Sequence, residues 1–491
     1  MNNFILLIAL PLLSAFIIPV VAMHSRQSAK FIGPAVLIFI LALITMNWSS
    51  VRLESYAIFI GGFLPSVGIV FYIDQFSLML SGLIALMLLV VWPWNSYTPA
   101  RLYSLYMLLA AACFGLVLSA DLFNLYVFYE LLAVATYGLI SASPVSKVNN
   151  NATALASLRY LFISSAGSVM LLLGIAIIYT LTGTLNIAHL ATMPEQLQGL
   201  AGLSAFVLIV IGAGVKAEMF PVNSWVPEVY GTINVSLSAL LAGLISKLAV
   251  VLIIKVLLML FQQPEALQLL LAVGILGVIS GEMVAWRAKD MIRMLSFSSI
   301  AQLGMIFIAL SIAGKIGLWI GLAMMLHHLL VKGGLFLLSN KMNGSFKSLT
   351  GFAKQSPMAA AVFILFILSL LGVPPFPGFW IKLLLIMNLA EQNTSLYHYA
   401  IGFILLATVI EAAYLFKLVR ILFQTEEIKS ITSTESKTTF IYAQLFALIL
   451  LVSMLFISPI SDRLKDMASQ VADKDVYIQT ILGNKIQGDA S

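Results

Sequence analysis

An all-α polytopic membrane protein of about fourteen transmembrane helices is the fold this sequence predicts, and three observations predict it. Apolar runs of about 20 residues, enough to span a bilayer as a helix, recur throughout the 491 residues. Hydrophobic residues make up 61% and charged residues 9% of the chain, against about 25% charge in soluble domains. Two runs, GAGVKAEMFPVNSW at 212–225 and SLLGVPPFPGFWIK at 369–382, are interrupted by Gly and Pro, and each holds one lysine.

Taken in order, helices are expected near 3–23, 31–48, 72–94, 101–120, 122–142, 153–181, 201–220, 233–260, 266–285, 290–312, 316–339, 356–386, 396–424 and 438–458. The first has no basic segment before it and no clear cleavage site after it, so it reads as a retained helix, not a signal peptide. Tyr56 to Phe71 is apolar, rich in Gly and Pro and too short to span, which suits a structured loop or hairpin. Asp74 heads the third helix, where a carboxylate caps free amides. Trp48, Trp92 and Trp94 fall at helix ends, the level of the membrane interface. The segment from Ser461 to Ser491 mixes Asp, Arg and Lys and reads as a solvated, partly helical extension.

Short loops keep Lys and Arg on the cytoplasmic side. Loops after odd-numbered helices hold Arg26, Lys30, Arg101, Lys147, Arg287, Lys289, Arg293, Lys341, Lys347, Lys354, Lys429 and Lys437, whereas those after even-numbered helices hold chiefly Arg52 and Lys315. Both termini are therefore expected outside the cytoplasm, in a multi-pass protein of the cell (inner) membrane. The net charge of +6 reports orientation, not nucleic-acid binding. Cys113 is the only cysteine, which excludes an internal disulfide and a cysteine-ligated cluster. None of His24, His189, His327, His328 and His398 has metal-site spacing with a carboxylate, so no cofactor and no metal is expected, and no redox centre.

The two broken segments occupy corresponding places in two halves, the pattern of internal repeats with a site at their interface. The expected division is 1–100 (helices 1–3), 101–260 (first repeat, helices 4–8), 261–425 (second, inverted repeat, helices 9–13) and 426–491 (last helix and polar tail).

Ionised groups at membrane depth are costly, about 2.5–3.5 kcal/mol on insertion scales, so each needs a partner or a task. Lys216 lies inside the first break and Lys247 deep in the next helix. Irregular backbone in a bilayer is tolerated only facing protein or water, so the pair points to an aqueous ion path. Burial favours the neutral amine of a lysine in general, the property a proton carrier near neutral pH needs. Glu130 sits mid-helix between apolar neighbours, suited to pair with Lys216. His328 and Lys332 lie one turn apart on one face, and Lys382 follows the second break as the far end of the path. Auxiliary candidates are Asp74, Lys255, Glu282, His327 and Glu411. Of these, Lys255 lies nearer a helix end and is expected to snorkel, and His327 points away from the face of His328. Ser164, Ser165, Ser168, Ser236, Ser238, Ser246, Ser298, Ser299 and Gln302 are polar enough to hold water between these groups, although Ser in such helices often bonds only its own backbone.

With these residues laid out, the chain resembles the antiporter-like membrane subunits shared by Mrp sodium/proton antiporters, respiratory complex I and membrane-bound hydrogenases. The resemblance covers nearly the whole chain. It rests on the Asp74 segment, DLFNLYVFYEL around Glu130, TGTLN at 182–186, the Lys216 lysine followed by FPxxxWxPE to Glu228, SALLAGLISK ending at Lys247, DMIRMLSFSSIAQLG from Asp290, HLLVK ending at Lys332 and GVPPFPGFWIK ending at Lys382. It implies fourteen helices in two inverted five-helix repeats with discontinuous seventh and twelfth helices. It further implies that Glu130 and Lys216 are a coupling pair, Lys247 the central lysine, His328 and Lys332 the next step and Lys382 the outer end. The family's usual PxHxWLPDAH is altered at Asn223, Glu228 and Tyr230, no proline occurs over 232–235, and Ile292 replaces a lysine.

Two functions follow from the resemblance: the D-type subunit of an Mrp-like cation/proton antiporter, or a proton-pumping subunit of a quinone-reducing dehydrogenase or hydrogenase. A non-transporting scaffold is the third reading. The partners implied are other membrane subunits, the lipid bilayer, protons and, for an antiporter, sodium.

Overall fold

The computed structural model describes residues 2–63, 65, 68–94, 98–142, 150–339, 342, 346–424 and 437–483. Its main helices are α1 (Leu6–His24), α2 (Arg26–Leu53), α3 (Gln75–Val90), α4 (Ala100–Leu118), α5 (Leu122–Ala142), α6 (Asn150–Thr182), α7 (Leu200–Lys216), α8 (Val226–Tyr230) and α9 (Val235–Leu260). The second half holds α10 (Pro264–Arg287), α11 (Met291–Leu310), α12 (Gly314–Ser339), α13 (Pro357–Leu371), α14 (Pro377–Ala390), α15 (Ser395–Phe423), α16 (Lys437–Leu455), α17 (Ile457–Val471) and α18 (Lys474–Leu482). Among the described residues eleven helices are long and apolar enough to cross a membrane. The shorter apolar α3 and the broken pairs α7–α8 and α13–α14 account for the other three of the fourteen expected passages. Lys147, Lys341 and Lys429 lie outside the described residues.

Local chemistry explains where the helices stop. Asp74 caps α3 in a reciprocal box, accepting from the Ser77 amide at 2.8 Å while its own amide donates to the Ser77 hydroxyl at 2.9 Å. After Lys216 the chain leaves the helix through Glu218, whose φ of 54° is left-handed. Pro221 and Pro227 then withhold amide donors, and Pro227 opens the single turn of α8, where a missing donor costs nothing. The indole N–H of Trp225 donates to the Val215 carbonyl at 2.9 Å and pins the break. The second break has a different stop. Gly372, with φ of 77°, ends α13 with the Val373 amide reaching back to the Leu368 carbonyl at 3.0 Å, the glycine-closed helix end that only a residue without Cβ adopts cheaply. Pro377 then starts α14.

Without water to drive helices together, membrane bundles rely on close backbone approach at small residues. A Cβ at Gly304 of α11 would stand 2.7 Å from both the Gly274 carbonyl and the Val278 amide of α10. Gly167 of α6 and Gly212 of α7 meet in the same way. The result places α9 wholly inside protein, with α4, α11 and α12 nearly so, while α1, α2, α6, α15 and α16 turn apolar faces outward.

One end of the bundle gathers the connections that follow even-numbered passages. Strands β1 (Tyr56–Phe59) and β2 (Val70–Ile73) form an antiparallel hairpin there, the second of the two forms expected for that segment. Phe71 bridges to Ser119, and Asp121 bridges to Asn186. The tail reaches the same end and departs in part from expectation. Up to Leu482 it is helical and packs one face on the bundle, with Leu464, Met467, Ala468, Ile481 and Leu482 buried and Tyr477 set edge-on to Tyr72 at 4.7 Å, while Asp462, Arg463, Lys465 and Asp466 stay exposed. Trp92 also departs from the interfacial role. Its ring is buried, stacked on Tyr103 at 5.3 Å, and donates to the Lys30 carbonyl.

Gly304→Leu should therefore lower the thermal midpoint of the detergent-solubilised protein, since overpacking costs about 1–3 kcal/mol. Gly402→Leu, with nothing within 4 Å of its Cβ position, should leave the midpoint unchanged in the same fluorescence-monitored melt.

Candidate functional site

Every lysine singled out at membrane depth points into protein. Lys216, Lys247 and Lys332 are exposed by 2% or less and Lys382 by 8%, so none faces the surface that lipid would cover. Each has its own solution to burial.

Lys216, the last residue of α7, donates to the Ser164 hydroxyl of α6 at 3.0 Å and stands 3.3 Å from the centre of the Tyr129 ring. Tyr129 is held by donating to the Gly212 carbonyl at 2.8 Å. Glu130 is the next residue on α5. It is only half-buried and makes no direct ion pair with Lys216, although its charge acts on that lysine. Its Oε1 is buried with no hydrogen-bond partner.

Lys247 follows a feature with no sequence signal. Residues Leu241–Ile245 form a π-helical turn inside α9, an irregularity common at functional sites. The Ser246 amide reaches back five residues to Leu241, and the Ala242 carbonyl accepts from both the Lys247 ammonium and the Ser246 hydroxyl. Ser246 also accepts from Lys247 at 3.1 Å.

On α12, Lys332 donates to the Ser298 hydroxyl of α11 at 2.6 Å, and His328 Nε2 lies 3.3 Å from Ser299. His327 points the other way, to Ser369 on α13 at 2.9 Å. The expected divergence of the two rings is correct, and the divergence links α12 to both neighbours. Lys382 on α14 forms a 2.7 Å ion pair with Glu411 on α15, and Glu411 also accepts from Gln302 at 2.9 Å. Glu282 on α10 accepts from Tyr414 at 2.8 Å, one turn beyond Glu411. α15 is otherwise an outward-facing helix, with Phe403, Leu406 and Val409 exposed. Glu411 and Tyr414 are buried on its inner side.

Lys255 corrects its expectation. It does not snorkel but turns inward, donating to the Val117 and Ser119 carbonyls at 2.5 and 2.7 Å. Those carbonyls close α4, which leaves them without helical amide partners. Lys255 and Asp74 share a pocket with Tyr72, Gln470 and Tyr477, so the packed tail roofs it.

One buried ionisable group was absent from the sequence candidates. Glu218, inside the first break, is fully buried and accepts from the Tyr230 hydroxyl at 2.6 Å. Its signal lay in the sequence: a carboxylate two residues from Lys216 in a segment that proline stops from being helix. The altered Glu228 instead joins an exposed ion pair with Arg159 at 2.5 Å, of the kind worth little to stability. No group of residues suited to a metal ion occurs among the described residues.

A string of buried titratable side chains runs across the enclosed helices of a polytopic membrane protein. Residues 119–410 match the family described as NADH:quinone oxidoreductase/Mrp antiporter, TM, and the chain belongs to it. It is 29% identical over 440 residues to NADH-quinone oxidoreductase subunit N of Desulforudis audaxviator, covering 84% of this chain and 85% of that one. It is 27% identical to the D-type subunit of the Na(+)/H(+) antiporter of Alkalihalophilus pseudofirmus, covering 98% and 100%. Among solved structures it superposes with a TM-score of 0.88 on a chain of the membrane-bound sulfane sulfur reductase, an archaeal respiratory membrane complex, at 27% identity and 98% and 100% coverage. The score is also 0.88 against a chain of the Mrp complex from Dietzia sp., at 25% identity and 98% and 99% coverage.

Removing one partner of a buried ion pair costs about 3–5 kcal/mol, because the other charge is stranded. Glu411→Gln should therefore depress the thermal midpoint, and Lys382→Met combined with Glu411→Leu should regain most of it, as read by melting the purified protein.

Proposed function

We propose that this chain is the proton-translocating subunit of a multisubunit Mrp-type monovalent cation (sodium)/proton antiporter. The observation that carries the reading is the set of four inward-facing lysines, Lys216, Lys247, Lys332 and Lys382, each touching a polar group on its own or a neighbouring helix. Protons pass along Lys216, Lys247, His328, Lys332 and Lys382, each amine accepting from one side and releasing to the other. Glu130 biases the first lysine from a half-exposed position where a neighbouring subunit can reach it. The 1–100, 101–260, 261–425 and 426–491 division gives the two halves of the path one broken helix each. The nearly end-to-end match to a D-type antiporter subunit supports the antiporter branch.

A proton-pumping subunit of a redox-driven complex is the second reading, favoured by the 29% identity to the quinone oxidoreductase subunit. Purifying the chain with its natural partners separates the two, since iron–sulfur resonances in the preparation would assign it to the redox branch. In either case the partners are further membrane subunits, and the membrane is the cell membrane.

Lys247→Ala should reduce proton flux at least tenfold in inverted vesicles holding the assembled complex, read by quenching of a pH-sensitive dye. Full flux with intact assembly would make the chain a scaffold. The distribution of basic residues supports termini outside the cytoplasm, so alkaline phosphatase fused at the C-terminus should be active in whole cells, and an inactive, stably made fusion reverses the topology.

A further inference from the structure

No carboxylate is a direct hydrogen-bond partner of the two lysines in the middle of the path. Lys382 has Glu411, and Lys216 feels Glu130, but the direct partners of Lys247 and Lys332 are neutral carbonyls and hydroxyls. Glu218 occupies this gap. Its side chain is 0% exposed, one oxygen takes the Tyr230 hydroxyl at 2.6 Å, and the other, Oε2, has no hydrogen-bond partner. A buried carboxylate oxygen without a donor is rare and calls for a reason.

The backbone adds a second observation. Glu218 is the one non-glycine residue with positive φ among the described residues, a conformation disfavoured for side chains with a Cβ and concentrated at functional sites. It is held there by the break itself. The Met219 amide turns back to the Gly214 carbonyl at 2.9 Å, and the Trp225 indole grips Val215. The carboxylate lies among α8, α9, α11 and α12. The groups facing it from those elements are Tyr230 on α8, Lys247 on α9, Ser299 on α11 and Lys332 on α12, with Tyr160 of α6 alongside. Ser299 in turn lies 3.3 Å from His328 Nε2, and His328 precedes Lys332 by one turn.

We infer that Glu218 is a proton-carrying group of the path, accepting a proton from Lys247 and passing it by way of Ser299 and His328 to Lys332. The inference rests on the proton path proposed above. In the first step an N–H bond of the Lys247 ammonium breaks as an O–H bond forms on Glu218 Oε2, leaving a neutral amine and a carboxylic acid. In the second that proton leaves for the hydroxyl and imidazole as an equivalent proton reaches the neutral Lys332 amine, and the carboxylate is restored. Charge and atoms balance, and no co-reactant is required.

The test uses the assembled complex reconstituted in proteoliposomes. Glu218→Gln keeps the size and an acceptor for Tyr230 but carries no proton, and is expected to cut flux tenfold or more. Glu218→Asp is expected to recover part of the flux with a displaced pH profile. Infrared difference spectra between acid and alkaline pH are expected to show a protonated-carboxyl band that Glu218→Gln removes. Wild-type flux in Glu218→Gln overturns the inference. A spectrum that Glu218→Gln leaves unaltered also overturns it, since the carboxylate is then only a fixed counter-charge. Lys247→Ala, measured in parallel, separates the two levels. If it stops flux while Glu218→Gln does not, only this inference fails, and if both retain full flux the whole path fails. Should Glu218→Gln not assemble, the pH profile and infrared band of Glu218→Asp decide, an unshifted profile and band overturning the inference.

Discussion

The free energy of an ammonium group removed from water governs this structure more than any other quantity. A lone cation at bilayer depth costs several kcal/mol, and the chain places four lysines there. It meets the cost four ways: an aromatic face and a serine for Lys216, a carbonyl freed by a π turn for Lys247, a serine on the adjacent helix for Lys332 and a carboxylate for Lys382. These differ in strength. The last is a charge-assisted ion pair, roughly twice as strong as a neutral hydrogen bond. The first three have neutral groups as their direct hydrogen-bond partners.

That requirement shapes the backbone. A regular helix satisfies its own polar groups and offers nothing to a neighbour. Broken crossings offer more, and so does the π turn in α9, where a carbonyl becomes an acceptor for a side chain. The chain departs from regular helix beside Lys216, Lys247 and Lys382. Lys332, on an unbroken helix, instead depends on serines and on helix–helix proximity. Small residues permit close approach elsewhere in the bundle, as where Gly274 of α10 meets Gly304 of α11 and a methyl group would collide with backbone.

The tail and hairpin serve the same constraint at one end of the bundle. Asp74 caps α3 and Lys255 completes the carbonyls that end α4, and Tyr72 and Tyr477 meet above them. Asp74 and Lys255 share a pocket there, and α17 and α18 cover it. Sequence pattern alone treated this tail as solvated because Asp, Arg and Lys are interspersed among its apolar residues. The apolar residues Leu464, Met467 and Ala468 recur at helical spacing and face the bundle, which a linear count does not register.

Hydropathy, proline placement and depth of charge were enough to define the fourteen crossings, the two breaks, the Asp74 cap and the lysines that turn inward, because each is a property of a single segment in a bilayer. Partnership was not legible. The few polar residues of α9, α11 and α12 mark a face of each helix but not which neighbour that face meets. The choice of Ser298 for Lys332, Glu411 for Lys382 and the α4 carbonyls for Lys255 therefore depends on helix rotation within the packed bundle. Glu218 shows the limit most clearly: its neighbours in sequence mark a break, but only the folding of α8, α9, α11 and α12 around that break turns a loop carboxylate into a buried one.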